Sequence, residues 1–455
     1  MSGKARSRCE GQQVRPLDCR PGTLISSADH YQRTCSVKGQ VFFLQVFHMN
    51  KVAVIGSGPA GLSAALALRE NGRIPVIFER RDLPALKLLA SGGGRCNFTN
   101  ILDQEAFMSK FGRNGRFMRD ALRFAPREWL VSFLETHGVP VQLTDGFYYF
   151  PESGRARDIL NAFLTASRAV VKTSSEVSEI LTENGAVSGI RVNGIAIPFE
   201  TVILAAGGPA WRGLGSASGL KLAEMLGHTV VKPLPAVAPL LIREDWVKSL
   251  AGVSLERARL FMKTGKHRVL ETVGSLLFTH EGLSGFSALD LAGDAAAVCA
   301  ENGDSELFLC VRPEWNREDW ALELERWRRE DGWKLIRSHL ARHVVRSVAD
   351  MICDLSECYE VKACNLPAVQ RDTLLDNLTA LPLTVYGAGP MGKAMAMRGG
   401  VSLKEIHPAT LESRLVKGLY FAGEILDLAG PCGGYNMQWA FSSGRLAGSL
   451  RNLHR

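Results

Sequence analysis

The most constraining stretch is Lys51–Glu79, because its punctuation leaves few folds open. Lys51-Val52-Ala53-Val54-Ile55-Gly56 is a short apolar run rich in β-branched residues, which predicts a buried parallel strand. Gly56-Ser57-Gly58-Pro59-Ala60-Gly61 follows, then the helix formers Leu62–Glu70, closed by Asn71-Gly72. Ile74–Phe78 predicts a second buried strand, with Glu79 at its end, 23 residues beyond Gly56. A dinucleotide-binding unit needs this order, with the acid about 20 residues on. Gly56 permits the tight turn, Gly58 lets backbone approach a pyrophosphate, and Gly61 lets the helix pack on the strand. The helix N-terminus offers unpaired N–H groups to phosphates. Glu79 would accept from a ribose 2′-hydroxyl and repel a 2′-phosphate.

A second G-x-G-x-x-G, Gly387–Gly392, tests the reasoning. It follows the strand-like Leu383–Tyr386, but its would-be helix runs into Gly399-Gly400 within about seven residues. Glu405 comes too early to end a second strand. This segment is expected to be a glycine-rich crossover between domains.

At 455 residues the chain exceeds what one core usually supports, so two or more domains are expected. Hydrophobic residues at 46% and charged residues at 22% exclude a mainly disordered or fibrous chain. No run of eighteen apolar residues occurs, which argues against a membrane-spanning helix. Residues 1–48 hold seven Lys or Arg against three Asp or Glu, half of the formal charge of +8. They show no periodicity, and Val41-Phe42-Phe43-Leu44 is cut by Gln45 before any cleavage site. They are expected to be a disordered leader or a misassigned start, with Met49 as the biological start. The remaining net charge of +4 is a weak argument for nucleic acid or membrane partners, and neither is expected. No C-x-x-C pair is present, and the closest cysteines, Cys353, Cys358 and Cys364, are spaced too irregularly for a zinc site. No metal is expected, and the cytoplasm is the default compartment.

Ala90–Asn100 (A-S-G-G-G-R-C-N-F-T-N) is a donor-rich loop suited to wrapping a phosphate or ribityl chain. Glu200–Gly208 is a buried strand ending in a glycine turn, with a helix over 219–227. From 210 to 385 the texture changes: short strand-like runs to about 311, then charged helices over about 315–380. Within these helices acids alternate with bases, as on a solvated face. Gly418–Glu424 is again a strand ending at an acid. It leads through Cys432 to Gly433-Gly434-Tyr435-Asn436 at the start of a helix.

Together G-S-G-P-A-G with Glu79, S-G-G-G-R-C-N-F-T-N, and G-L-Y-F-A-G-E-I-L-D…G-G-Y-N-M-Q-W-A-F-S-S-G resemble the BaiN-like bacterial NAD(P)/FAD-dependent oxidoreductases over residues 49–455. The resemblance implies an α/β protein with a Rossmann-like FAD domain of the two-dinucleotide-binding type, built from both chain ends (49–209 and 386–455). Residues 210–385 would form an inserted domain, a β-barrel over about 229–311 plus the helices. FAD would be held non-covalently, with NAD(P)H as a transient electron donor and a small molecule as substrate. Gly56, Gly58 and Gly61 would approach the pyrophosphate and Glu79 the adenosine ribose. Arg95, Cys96, Asn97 and Thr99 would line the cofactor, and Glu424 would hold the ribityl chain. The N–H groups of Gly434, Tyr435 and Asn436 would face the flavin pyrimidine edge. Pro59, Ala60, Arg80, Gly94, Ala206, Gly207 and Gly423 complete the implied neighbours. Two segments depart from the family pattern, Phe286 after Ser284-Gly285 and Pro209–Gly219. Both fall on the presumed substrate side. His280 and Trp211, with its neighbour Arg212, are the candidates for chemistry on substrate. Besides an oxidoreductase, the same fold could serve a flavin-dependent tRNA-modifying or RNA-binding protein, or a catalytically silent flavin-binding protein; a basic stripe with exposed aromatics would mark the RNA reading.

Overall fold

The computed structural model describes residues 52–264 and 268–451; the reading of residues 1–48 lies outside them. Five strands form a parallel sheet: β1 (Val52–Ile55), β2 (Val76–Phe78), β3 (Val170–Lys172), β4 (Thr201–Leu204) and β5 (Leu419–Phe421), in the order β5-β4-β1-β2-β3. β1 pairs with β4 from Val52↔Thr201 to Ile55↔Leu204, and β4 with β5 from Val202↔Leu419 to Leu204↔Phe421. Carboxy-terminal residues thus complete a sheet begun at the amino-terminal end. All residues of β1, β2 and β5 are buried, as covered parallel strands require.

Helix α1 (Pro59–Glu70) starts with Pro at its first position and is buried from Ala60 to Leu68. A helix apolar all round must be covered on both sides. The sheet covers one side. A long carboxy-terminal helix, Tyr435–Gly448, covers the other, approaching through glycines: a Cβ at Gly444 would lie 2.0 Å from the Ala60 carbonyl oxygen, and one at Gly448 would lie 2.3 Å from that of Ala64. Gly61 packs in the same way, since a Cβ there would meet the Gly56 oxygen at 1.9 Å, and it stands outside the lining of the cavity at the carboxyl ends of these strands.

The inserted part holds a closed barrel of six antiparallel-paired strands: Leu240–Ile242, Gly282–Ser284, Arg268–Phe278, Ser254–Thr264, Ser305–Cys310 and Leu381–Ala388. This corrects the expected limits of 229–311. Val230–Ala236 pairs instead with Ala396–Val401 outside the barrel, and Leu381–Ala388 closes it. The helical segment is therefore suspended between two neighbouring barrel strands. A second correction is helix α2 (Phe286–Asn302), seventeen residues long where only short strands and turns were expected. Its buried face is Ser287, Ala288, Leu291, Ala292, Ala295 and Ala296. Alanine strongly favours helix yet contributes little hydrophobic contrast, so the periodicity is faint.

The second G-x-G-x-x-G opens no helix. Met391–Lys393 is one 3₁₀ turn, after which the chain becomes the strand Ala396–Val401. The Met391 and Gly392 carbonyls accept from the N–H groups of Trp211 and Arg212, at 3.1 and 2.9 Å. The turn braces the Trp211 loop. Among the described residues no helix is long and apolar enough to cross a membrane, and no group of three or more His, Cys, Asp or Glu is placed to hold a metal ion.

Candidate functional site

The carboxyl ends of β1, β2, β4 and β5 open onto one cavity of about 500 Å³. Gly56, Gly58, Pro59 and Ala60 line its floor at the start of α1. Gly56 has φ +102°, and a Cβ there would meet the Ala205 oxygen at 2.5 Å. Gly58 differs: its Cβ position has no atom within 4 Å and faces open space. No side chain caps α1, so its first N–H groups stay available.

Glu79 lines the same cavity and also ties the glycine turn to β2. Its Oε2 accepts from Ser57 N at 3.1 Å and Ser57 Oγ at 2.5 Å, while Oε1 accepts from Arg81 N at 3.0 Å. Arg80 and Arg81 reach across: the Arg80 guanidinium donates to the Gly215 carbonyl at 2.8 Å and that of Arg81 to Gly213 at 2.5 Å. They hold the Trp211 loop over the cavity, where Trp211 lines the wall with φ +75°.

From the Ala90–Asn100 loop, Arg95 and Asn97 line the cavity. Arg95 stands over the Phe150 ring at 4.9 Å. Asn97 Oδ1 is buried without a hydrogen-bond partner among the described residues and lies 2.8 Å from where a Gly434 Cβ would be. Thr99 Oγ1 is likewise buried and unpartnered. Cys96, Thr99 and Gly94 stand behind the lining rather than in it. Cys96 is fully buried, and burial pushes its thiol up to about 12, so it packs beneath the loop as an inert thiol.

On the opposite wall are Ala206, Gly207 and Glu424. Glu424 Oε2 pairs with Lys87 Nζ at 2.5 Å, and Oε1 accepts from Met397 N at 3.1 Å. Lys87 itself lines the cavity, and no sequence motif marked it. Gly423 stands behind Glu424; a Cβ there would meet Ala60 Cβ at 2.8 Å.

At the far end come Cys432, Gly433, Gly434 and Asn436, leading into helix α3 (Tyr435–Gly448). Gly434 has φ +83° and sits against Thr99, whose N would be 2.7 Å from a Cβ. Asn436 clasps Gly430 in both directions, accepting from its N and donating to its O at 2.8 Å. The Tyr435 side chain points away and packs on Phe107 and Phe111. From the inserted domain α2 supplies Phe286 and Leu289 to the lining. At the next position, Asp290 Oδ1 accepts from Cys432 N at 2.7 Å. Burial pushes the Asp290 carboxyl up to about 6. Sequence reasoning missed Leu289 and Asp290 because α2 comes from a distant segment, and Lys87 because a lone lysine just before the Ala90–Asn100 loop carries no motif. His280 is exposed in the turn Thr279–Gly282, outside the cavity lining, and is not brought together with the other candidates.

These residues fit an FAD. An acid stands at the end of the second strand, and the glycine cradle at Gly58 is one that a Cβ would fill. Free helix N–H groups face the remainder, and Asn97 lines the wall beside Gly434. Fold and cavity together define a Rossmann-type dinucleotide-binding protein whose site is covered by an inserted barrel domain. The chain belongs to the family of the HI0933-like protein Rossmann domain, which matches residues 50–450, and this bears out the resemblance the three motifs carry. It is 30% identical over 409 residues to a 3-dehydro-bile acid delta(4,6)-reductase of Clostridium scindens, covering 88% of this chain and 98% of the relative. It is 28% identical over 411 residues to a ribosomal RNA dihydrouridine synthase of Escherichia coli, covering 86% and 95%. Among solved structures, a 3-ketosteroid-delta4-(5alpha)-dehydrogenase from Rhodococcus jostii is 12% identical at a TM-score of 0.48, covering 88% of this chain and 96% of that one.

Proposed function

We propose that this HI0933-like protein is a cytoplasmic FAD-dependent oxidoreductase that saturates a carbon–carbon double bond conjugated to a carbonyl, with NAD(P)H as the transient electron donor. One observation carries the reading: a single cavity is lined at one end by the dinucleotide elements Gly56–Ala60 and Glu79, and at the other by Phe286 and Leu289 of the inserted domain. A cofactor laid along the first set would present its far end to a substrate held by the second. The names of the two relatives support the chemistry, since a delta(4,6)-reductase and a dihydrouridine synthase both saturate such an alkene.

FAD supplies the two-electron transfer. The chain's own residues bind and orient. The α1 N-terminus and Gly58 would hold the pyrophosphate, Glu79 the adenosine ribose, and the Glu424–Lys87 pair the ribityl region. The N–H groups at the start of α3 would meet negative charge at the flavin's pyrimidine edge. Phe286, Leu289 and Trp211 would give the reacting end an apolar wall. The test is anaerobic stopped-flow of the purified protein. NADPH or NADH should reduce its flavin, and a conjugated enone should reoxidise it. A protein that binds no flavin, or whose flavin neither nicotinamide reduces, would refute the proposal.

A second reading, an RNA substrate, is favoured by one surface feature. Residues 110–127 hold Lys110, Arg113, Arg116, Arg119, Arg123 and Arg127 against a single acid, Asp120. Lys110, Arg113, Arg116 and Arg123 are exposed and make no ion pair among the described residues. Half-buried Phe117, Phe124 and Trp129 interleave with them, and Arg451 lies over Phe124 at 4.1 Å. Phe107 and Phe111, at the base of this stripe, pack on Tyr435 at the start of α3, so the stripe adjoins the cavity's far end. A net charge of +4 over the body averages this local excess away. Fluorescence anisotropy with a labelled RNA hairpin, at rising salt, tests it. Replacing the four exposed cations by Gln should abolish binding and its salt dependence while leaving flavin content intact. If the unaltered protein does not bind RNA even at low salt, the small-molecule reading stands alone.

A further inference from the structure

Three proton-bearing side chains from three distant segments meet at and behind the cavity's far end; Asp290 and Tyr148 stand behind the lining. Cys432 lines the cavity in the loop before Gly433. Asp290, from α2, accepts from the Cys432 backbone N–H at 2.7 Å, which brings its carboxyl beside the Cys432 side chain. Tyr148 stands beside them. Its ring stacks parallel to Phe286 at 6.3 Å, and its edge comes within 3.1 Å of where a Gly433 Cβ would lie. Asn100 Nδ2 donates to the Gly433 carbonyl at 2.8 Å, which fixes the loop that carries the sulfur. Cys432 also packs on the apolar cluster of Ala236, Val237 and Ala396. The only cation acting on Asp290 among the described residues is Lys110.

We infer that Cys432 is the proton donor of the reduction and that Asp290 is the positioning residue that keeps its sulfur protonated. The inference rests on the proposed saturation of a conjugated alkene. That reaction needs a hydride at the β-carbon and a proton at the α-carbon. The hydride derives from NAD(P)H. At the other carbon the S–H bond of Cys432 breaks, its proton bonds to the α-carbon, and the electron pair stays on sulfur. The thiolate then regains a proton from solvent by way of Asp290.

The surroundings keep the sulfur protonated and suppress it as a nucleophile. Burial first, then the Asp290 carboxylate, push the Cys432 thiol well above its ordinary range. The same causes raise Tyr148. This distinction matters for a conjugated alkene, because a thiolate in its pocket would add to the β-carbon and end turnover as a C–S adduct. Asp290 removes that hazard by its charge and leaves the proton where the product needs it.

Two measurements on the FAD-loaded protein test this. The first is labelling of Cys432 by N-ethylmaleimide at pH 7.5, followed by peptide mass spectrometry. Asp290→Asn should label at least about tenfold faster than the unaltered protein, as expected if the thiol's pKa falls by one unit or more. Equal rates overturn the role of Asp290, whatever the enone result. The second is anaerobic reoxidation of the NADPH-reduced protein by 2-cyclohexen-1-one. In Cys432→Ala the ratio of the oxidative to the reductive half-reaction rate should fall at least about a hundredfold, the ordinary contribution of a positioned acid. Cys432→Ser should recover part of it. An unchanged ratio in Cys432→Ala overturns the donor role. If the enone fails to reoxidise the unaltered protein, the reductase reading fails instead, and labelling still decides whether Asp290 masks the thiol.

Discussion

Gly58→Ala separates the protein's own needs from those of its cofactor. Gly58 has φ −65° and ψ −180°, a conformation alanine adopts freely, and its Cβ position has no protein atom within 4 Å. The fold should therefore hardly register the change. Alanine caps a helix less well than glycine, but it also reduces unfolded-state entropy by about 0.4–1 kcal/mol, and the two effects oppose each other. The methyl group points into the cavity, where the pyrophosphate would lie. Forcing one carbon into a packed contact costs about 1–3 kcal/mol. At 1.4 kcal/mol per factor of ten, FAD should bind about 5- to 150-fold more weakly. The assay is a titration of apoprotein with FAD, followed by flavin fluorescence, beside thermal unfolding of the apoprotein by circular dichroism. An unchanged Tm with weakened binding is the expected result. Unchanged FAD affinity would show that no pyrophosphate approaches Gly58, and would remove the cofactor placement along α1.

Three further outcomes follow from neighbouring geometry. Gly61→Ala places a Cβ 1.9 Å from the Gly56 oxygen and should strongly lower Tm even without cofactor, which distinguishes it from Gly58→Ala; an apoprotein Tm equal to wild type would contradict the α1–β1 packing. Gly434→Ala combines φ +83° with a Cβ 2.7 Å from Thr99 N, so both stability and flavin retention should fall, as read by Tm and bound-flavin absorbance. In the helical segment His343 Nδ1 faces the Arg312 guanidinium at 3.2 Å, so it accepts there, and Nε2 carries the proton toward Glu323 at 3.1 Å. Burial holds the pKa of this neutral ring below the ordinary value near 6.5, so the unfolded chain binds the proton more readily. Its stabilisation is present above about pH 6.5 and is lost as pH falls through the folded value. Tm should drop between pH 7.5 and 5.5, and His343→Gln should flatten that slope; an identical slope would assign the acid sensitivity elsewhere.

Where function depends on consecutive residues, the sequence was legible. The glycine turn, Glu79 and the Gly433–Asn436 helix start each lie within one continuous segment, and their backbone requirements are written in residue types. Gly61 illustrates this: only a residue without a Cβ fits 1.9 Å from a carbonyl oxygen, so the motif and the packing are one fact. The Gly444 and Gly448 contacts with α1 follow the same rule; Gly444 closes the carboxy-terminal motif and Gly448 lies beyond it, but no spacing rule tied either to α1, and the packing went unread.

The barrel and its contribution to the cavity were harder, for a physical reason. Its closing strand, Leu381–Ala388, is separated from its partner Ser305–Cys310 by the whole helical segment, and no local pattern encodes a pairing across seventy residues. Helix α2 is masked by its alanines. As a result Leu289 and Asp290 gave no signal, although Leu289 lines the cavity and Asp290 holds the Cys432 loop that lines it. The substrate end of the cavity is thus built from residues whose importance exists only in three dimensions. Phe286 is the exception, since it already stood out as a departure from the family pattern. Its ring lies against Tyr148 and lines the wall beside Cys432. A family that keeps its cofactor half fixed and varies this half would change substrates without rebuilding the nucleotide fold. Substitutions at Phe286 should therefore alter which enone reoxidises the flavin while leaving FAD affinity untouched, and a change in FAD affinity instead would place Phe286 on the cofactor side.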